Sequence, residues 1–299
     1  MKRKTHKKTL DIAVAVFVAV GAVLFLLPTV LTVANSFMTS SEISANYGAM
    51  YSNMTDSEKT YISENVNLKF IPDKVTLDQY RAVLITNSDY LVKFWNSVWL
   101  TVPITLFQLL IAILTSYGFS RYPSKLKGII FFAYIILMIM PYQVTLVPNY
   151  LVAKKFGLLN TRLAIILPAI FSPFSIFLLT KVMRRVPASY VEAAKLDGAG
   201  ELQILTKIYM PLCKNAIISI GMLVFIDYWN MVEQPLILMT SDEAKALHPL
   251  SVFLSQINTG DVGLAFAVGV VYMIPTILLF IYGEDSLVDG IAYSGGIKG

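Results

Sequence analysis

The 299-residue chain is poor in the residues that most often carry chemistry: it has one cysteine and two histidines, and only 14% of its residues are charged. A single thiol, Cys213, excludes an intrachain disulfide, and its position suits a small apolar residue at a helix start. His6 and His248 stand far apart in polar segments, so no metal-ligand spacing exists. No Ser/His/Asp or Cys/His arrangement is present, and dispersed carboxylates with two histidines argue against hydrolysis. The chain also lacks Gly-x-x-x-x-Gly-Lys-Ser/Thr, the loop whose backbone amides cradle nucleotide phosphates. It is therefore expected not to be an enzyme and to hold no cofactor of its own.

Hydrophobic residues make up 56% of the chain, where an ordinary soluble domain has about 25% charged residues and fewer apolar ones. A helix needs about 20 apolar residues to cross a hydrocarbon core of about 30 Å. Six such spans are expected: Ile12 to Ala34, Phe94 to Phe119, Gly128 to Val152, Leu163 to Thr180, Ala216 to Val232 and Val262 to Gly283. Backbone groups in lipid must bond among themselves, which leaves helices or a closed barrel. Barrel strands alternate apolar and polar residues, and runs such as Ile129 to Met140 do not. The expected fold is an all-α polytopic membrane protein. Pro103, Pro141, Pro168, Pro173 and Pro275 fall inside spans, where each removes a backbone donor and favours a kink. Together they suggest bent helices around a cavity.

The net charge of +5 reads as a topology signal rather than a nucleic-acid footprint, because the basic residues flank apolar runs. One side would carry Lys2, Arg3, Lys4, Lys7, Lys8, Arg121, Lys125, Lys127, Lys181, Arg184, Arg185, Lys195, Lys207, Lys214 and Lys298. The other would carry Lys59, Lys69, Lys74, Arg81, Lys93, Lys154, Lys155, Arg162 and Lys245. Cytoplasmic loops hold the excess of Lys and Arg, so both termini are expected in the cytoplasm. The expected organisation is a basic N-terminus (1–11), a first span (12–34) too long for a cleaved signal, an external loop (35–93), a five-helix core (94–283) with a cytoplasmic loop at 181–213, and a cytoplasmic tail (284–299). Glu233-Gln234-Pro235 reads as a helix end, and residues 248–261 as an external loop with a short re-entrant segment.

The loop at 181–213 is the most informative stretch. Ser189 and Glu192 match a Ser-x-x-Glu capping box, in which each side chain satisfies the other residue's free N–H. Ala193, Ala194 and Leu196 favour helix, and Asp197-Gly198 ends it, with glycine able to take the left-handed conformation. A second helix is expected from about Glu201 to Tyr209, leading to Pro211. Such a stiff helical hairpin suits contact with another protein. In span five, the run Asp227, Tyr228, Trp229 and Asn230 places a carboxylate, aromatics and an amide where a solute path would need them. A charge at mid-membrane costs roughly 2.5–3.5 kcal/mol, so it must face a cavity or a partner. Interface anchoring by Tyr228 and Trp229 is the plainer alternative.

Glu192-Ala193-Ala194, Gly198, Ile208 and Met210-Pro211 fall on the spacing Glu-Ala-Ala, three residues, Gly, nine residues, Ile, one residue, Leu-Pro. That pattern resembles the "EAA" motif of permease subunits in ATP-binding-cassette (ABC) importers, with Met210 in place of leucine. Asn96-Ser97, Trp229-Asn230 and the terminal Gly295-Gly296-Ile297-Lys298-Gly299 are similar to the carbohydrate branch typified by the second maltose permease subunit. Likeness covers most of the chain from Leu68 onward, while residues 46–67 are longer than usual for the branch. The resemblance implies a type I importer permease in a prokaryotic cell membrane. It implies partners: a cytoplasmic ABC ATPase dimer that binds ATP and Mg, a second and different permease, and an external solute-binding protein. It implies docking of the ATPase on Tyr190, Glu192, Ala193, Ala194, Asp197, Gly198 and Ala199, and an ATPase-facing tail at Gly295, Gly296 and Lys298. Two other classes remain at this point. A proton-coupled secondary transporter would use Asp227 and Glu233 as a relay, and a non-transporting scaffold would need only the helices and the docking loop.

Overall fold

Apolar runs of this length can bury their backbone polarity only by coiling. The computed structural model, which describes residues 2–55, 68–122, 124–256 and 262–295, is helical throughout, with no strand among the described residues. In chain order the helices are α1 (Lys2–Asn35), α2 (Ser40–Thr55), α3 (Asp78–Arg81), α4 (Ser88–Arg121), α5 (Lys125–Ile139), α6 (Tyr142–Lys155), α7 (Leu163–Ala169), α8 (Pro173–Met183) and α9 (Ala188–Leu196). There follow α10 (Glu201–Ile204), α11 (Met210–Leu212), α12 (Lys214–Trp229), α13 (Glu233–Leu238), α14 (Asp242–Lys245), α15 (Leu250–Ser255) and α16 (Val262–Gly295). Among the described residues, four stretches are long and apolar enough to cross a membrane: Ile12–Asn35, Ser88–Arg121, Leu163–Met183 and Leu264–Leu287. Two bent pairs, α5 with α6 and α10–α11 with α12, raise the number to six if each pair is one span.

Prolines account for the departures from the expected spans. The third span is not continuous: α5 and α6 meet at a bend of 103°. Pro141 has no N–H to donate and forces Met140 into an extended conformation (ψ 129°). The fourth span breaks between Ala169 and Pro173 for the same reason, with Ser172 extended before the proline and capping α8 through a hydrogen bond from the Ser175 amide. Glu233-Gln234-Pro235 begins α13 rather than ending a helix, since proline is tolerated in a first turn.

The chain divides into two compact units. The first, Met1–Leu91 with Gln256–Met273, holds α1 and most of the polar segment. The most apolar window of α1 is wholly unburied within the chain, as befits a helix whose solvent is lipid. The expected polar loop at 35–93 contains helix α2 and is stitched to α1 by polar bonds. Asn35 donates to the Tyr47 hydroxyl at 2.6 Å, Ser36 bonds the Tyr80 hydroxyl at 2.6 Å, and Gln79 donates to Ser40 at 2.9 Å. Glu42 accepts the Asp73 amide at 2.7 Å and pairs with Lys69 at 3.1 Å.

The second unit, Val92–Ser255 with Ile274–Gly299, has two apolar clusters. One gathers Ile176, Leu179, Met183 and Ile220 with Val191, Ile204 and Tyr209 of the 188–212 region. Aromatic contacts tighten it: Phe131 of α5 stacks on Phe177 of α8 at 5.8 Å and meets Phe119 of α4 at 5.6 Å. The other gathers Leu100, Ile104, Ala164, Ile165, Leu238 and Met239. Helix α16 packs on α12 where Gly283 leaves room for Met222 and Ser219 donates to the Ser286 carbonyl at 2.5 Å.

Candidate functional site

The hairpin at 188–212 begins when Pro187, with φ −61° and ψ 137°, turns the chain into α9. Its far end is a Schellman motif: the Gly198 amide donates to Lys195 O at 3.0 Å and the Ala199 amide to Ala194 O at 2.9 Å. Gly198 sits at φ +79°, where a side chain is strained, so this glycine is set by backbone shape. The Ser189–Glu192 capping box does not form. The helix starts one residue earlier than Ser189, with Pro187 as cap and no side-chain cap bond. Glu192 is thereby released from a capping role. It stands exposed, and like Asp197 it has no intramolecular partner among the described residues.

One face of α9 anchors the hairpin: Val191 is 1% exposed, and half-buried Ala194 and Ala199 pack on the same core cluster. The opposite face presents Tyr190, Glu192, Ala193 and Asp197, with Leu196 89% exposed. After the turn, the Gly200 amide donates to Gln203 Oε1 at 3.1 Å and α10 begins. The expected second helix to Tyr209 is present but widens into a π turn at Leu205–Tyr209 before α11. Pro211, which cannot donate to Lys207 O, lies just beyond it. The chain then bends by 78° at Cys213 into α12, and Cys213 is buried at the helix start.

Glu201 ties the hairpin to the bundle. Its carboxylate accepts a hydrogen bond from Tyr117 of α4, lies 3.2 Å from Lys195 Nζ and 3.9 Å from Arg121 Nε. The Tyr117 and Tyr122 hydroxyls hold this carboxyl down to about 2 against an opposing push from burial, with Lys195 adding less. The sequence reading missed this residue, because its partner Tyr117 lies 84 positions earlier.

The span-five residues divide. Asp227 and Tyr228 line a cavity of about 330 Å³ together with Gln108, Ser172 and Ser175. Tyr228 also borders a neighbouring cavity of about 380 Å³ that includes Tyr142, Asn149 and Gln234. Trp229 is elsewhere: at 1% exposure it stacks on Phe225 at 5.4 Å and meets Phe94 edge-on at 5.6 Å, so it is a core residue. Asn230 folds back on its helix end, donating to Ile226 O at 2.7 Å. Gln108 was not singled out from sequence, although a lone amide within an apolar run was a signal. Its Nε2 donates to Ser175 Oγ at 2.8 Å, and its buried Oε1 has no partner. Of the prolines flagged in the sequence, Pro168 and Pro173 border the second of these cavities.

Asn96 and Ser97 form a polar knot at the start of α4. Asn96 donates to Ala246 O at 2.8 Å and His248 O at 3.3 Å, and its Oδ1 accepts from Arg162 at 2.6 Å. Ser97 Oγ accepts the Leu250 amide at 2.9 Å. His248 is buried and bonds Met239 O through Nε2 at 2.8 Å. Gly295 is the last described residue of α16, and Gly296 and Lys298 lie outside the described residues, as do positions 56–67 of the long segment 46–67.

The arabinooligosaccharides transport system permease protein AraQ of Halalkalibacterium halodurans is 27% identical, covering 100% of both chains. The lactose transport system permease protein LacG of Rhizobium radiobacter is 29% identical over 78% of this chain and 86% of its own. A crystal structure of a bacterial ABC transporter involved in import of the acidic polysaccharide alginate has a chain of the same fold. Its TM-score is 0.74 at 22% identity, covering 93% of this chain and 96% of that one. The family model for binding-protein-dependent transport system inner membrane components matches residues 88–284, a stretch that includes the hairpin, the Asp227 cavity and the Asn96 knot. The chain belongs to that family of multi-pass membrane permeases.

Proposed function

We propose that this chain is one permease subunit of an ATP-driven importer that carries a sugar or oligosaccharide across a prokaryotic cell membrane. Its six spans lie within α1, α4, α5–α6, α7–α8, α12 and α16, in a type I importer arrangement with both termini in the cytoplasm. The partners are a cytoplasmic ATPase dimer that binds ATP and Mg, a second and different permease, and an external solute-binding protein. The observation that carries this reading is the hairpin, in which a rigidly capped helix offers Glu192, Ala193, Asp197 and bare Leu196 to a partner. The family match and relatives named for arabinooligosaccharide and lactose transport support the substrate class. The cavity beside α12 supplies what a polyol needs: hydroxyls and an amide from Ser172, Ser175 and Gln108, a carboxylate from Asp227 and the ring of Tyr228. Closure of the ATPase pair would move the hairpin and rock the helices around that cavity.

The test is cross-linking in the assembled importer. A cysteine at Ala193 is expected to cross-link to the ATPase subunit, and uptake into proteoliposomes is expected to stop with vanadate and survive an uncoupler at constant ATP. Absence of any ATPase cross-link from 190–198, with uptake collapsing under the uncoupler, would return the protein to the proton-coupled class.

A further inference from the structure

Among the described residues, every polar side-chain tie from the 188–212 hairpin to the rest of the bundle runs through Glu201. Its other attachments are apolar: Val191, Ala194, Ala199, Ile204, Leu205 and Tyr209 against the core cluster. Apolar contacts resist separation but have no preferred direction. A carboxylate held by a phenol and two cations is directional and charge-assisted. We propose that Glu201 is a positioning residue, the strut that converts displacement of the docking helix into displacement of α4.

The placement suits that task. Lys195 lies in the last turn of α9, three residues before the Schellman glycine, so it reports the position of the docking helix itself. Tyr117 and Arg121 lie in the last turns of α4, the helix that further along carries Gln108 of the Asp227 cavity and Asn96 of the polar knot. Tyr117 is fixed on a second side by an edge-on contact with Tyr209 at 5.0 Å. Arg121 Nε has no hydrogen-bond partner, so its stake in the hairpin is this ion pair. Force applied at Lys195 therefore reaches α4 through one carboxylate. Glu192 and Gly198 face the partner, whereas Glu201 faces inward, and the two roles are separable.

This inference rests on ATPase docking at the hairpin, and the experiment keeps the two apart. The complete importer, with ATPase, both permeases and binding protein, is reconstituted with wild-type chain, E201Q, E201D and Y117F. The readout is solute taken up per ATP hydrolysed. In E201Q, ATPase stoichiometry and the Ala193 cross-link are expected to stay at wild-type level. Uptake per ATP is expected to fall about tenfold, the factor for one charge-assisted hydrogen bond at the low end of its range. E201D, which keeps the charge, recovers part of the loss. Y117F keeps its ring against Tyr209, removes only the hydroxyl, and lowers the ratio several-fold. A ratio within twofold of wild type in E201Q or in Y117F overturns the strut. Loss of the ATPase from the E201Q complex also overturns it, by making Glu201 an assembly residue. A wild-type complex that never cross-links through Ala193 fails the docking reading instead.

Discussion

Replacing Gly198 separates backbone shape from side-chain contact at the hairpin. The residue sits at φ +79° with no heavy atom within 4 Å of an added Cβ, so a substituent meets open space. The cost of alanine is then the intrinsic one of holding an L-residue in the left-handed region, about 1–2 kcal/mol. That amount shifts the balance between the capped and opened turn about 5–30-fold. Asparagine, whose short polar side chain tolerates this region, recovers most of the loss. Valine, branched at Cβ, costs more than alanine. Hydrogen exchange followed by mass spectrometry on the purified importer reads the turn directly through the Ala199 amide, which donates to Ala194 O. Protection is expected in the order Gly, Asn, Ala, Val, and solute uptake is expected to follow it. Alanine and asparagine behaving alike, or valine matching glycine, would show that the turn is not held by its dihedral angle and refute the reasoning.

Three further expectations concern other parts of the chain. Asn96→Ala removes two donated bonds and leaves the Arg162 guanidinium without its acceptor, for a loss of about 3 kcal/mol. Asn96→Asp keeps the acceptor and loses less, and thermal unfolding in detergent ranks the pair. Glu42 is held below the usual carboxylate range chiefly by the Asp73 amide, and by Lys69 against the opposing effect of burial. Its folded value being the lower one, its stabilisation is present above the ordinary range and fades as pH falls through the depressed value. Proteolysis within residues 36–87 is therefore expected to accelerate in acid below about pH 4, and Glu42→Gln to flatten that dependence. Gln108→Leu gives up one bond to Ser175 but removes a buried oxygen that has no partner, so stability stays within about 1 kcal/mol. Uptake of a hydroxyl-rich solute is expected to fall several-fold in that variant, and unchanged uptake would take Gln108 out of the path.

Features encoded over one or two turns were legible in the sequence. Apolar length marked the spans, and Gly198 announced its own left-handed turn, because each depends on neighbours within a few positions. The cap of α9 was misread because Pro187 can start a helix as readily as Ser189, and propensity alone does not choose between them. The prolines were visible, but whether each kinks a helix or breaks it depends on what packs alongside: Pro103 stays inside α4, while Pro141 splits a span by 103°. Side-chain direction was the largest gap. Asp227 and Tyr228 reach the cavity, while Trp229, one position on, turns into the core. The two carbonyls to which Asn96 donates lie 150 and 152 residues away, and no local pattern encodes a pairing at that separation.

The 103° corner between α5 and α6 has a consequence for leakage. Apart from the Met140 amide on Leu137 O at 3.3 Å and the Val144 amide on Pro141 O at 3.1 Å, the end groups of α5 and α6 lack partners within their own coils, and hydrocarbon offers none. At a corner within the membrane those groups need water or other protein groups, and the hollow bounded by Leu137, Met140 and Tyr142 lies beside them. A permease with a water-filled hollow at such a corner could not rely on dryness to hold back ions. Its insulation has to come from closed doors above and below that chamber, one of them shut in every state of the cycle.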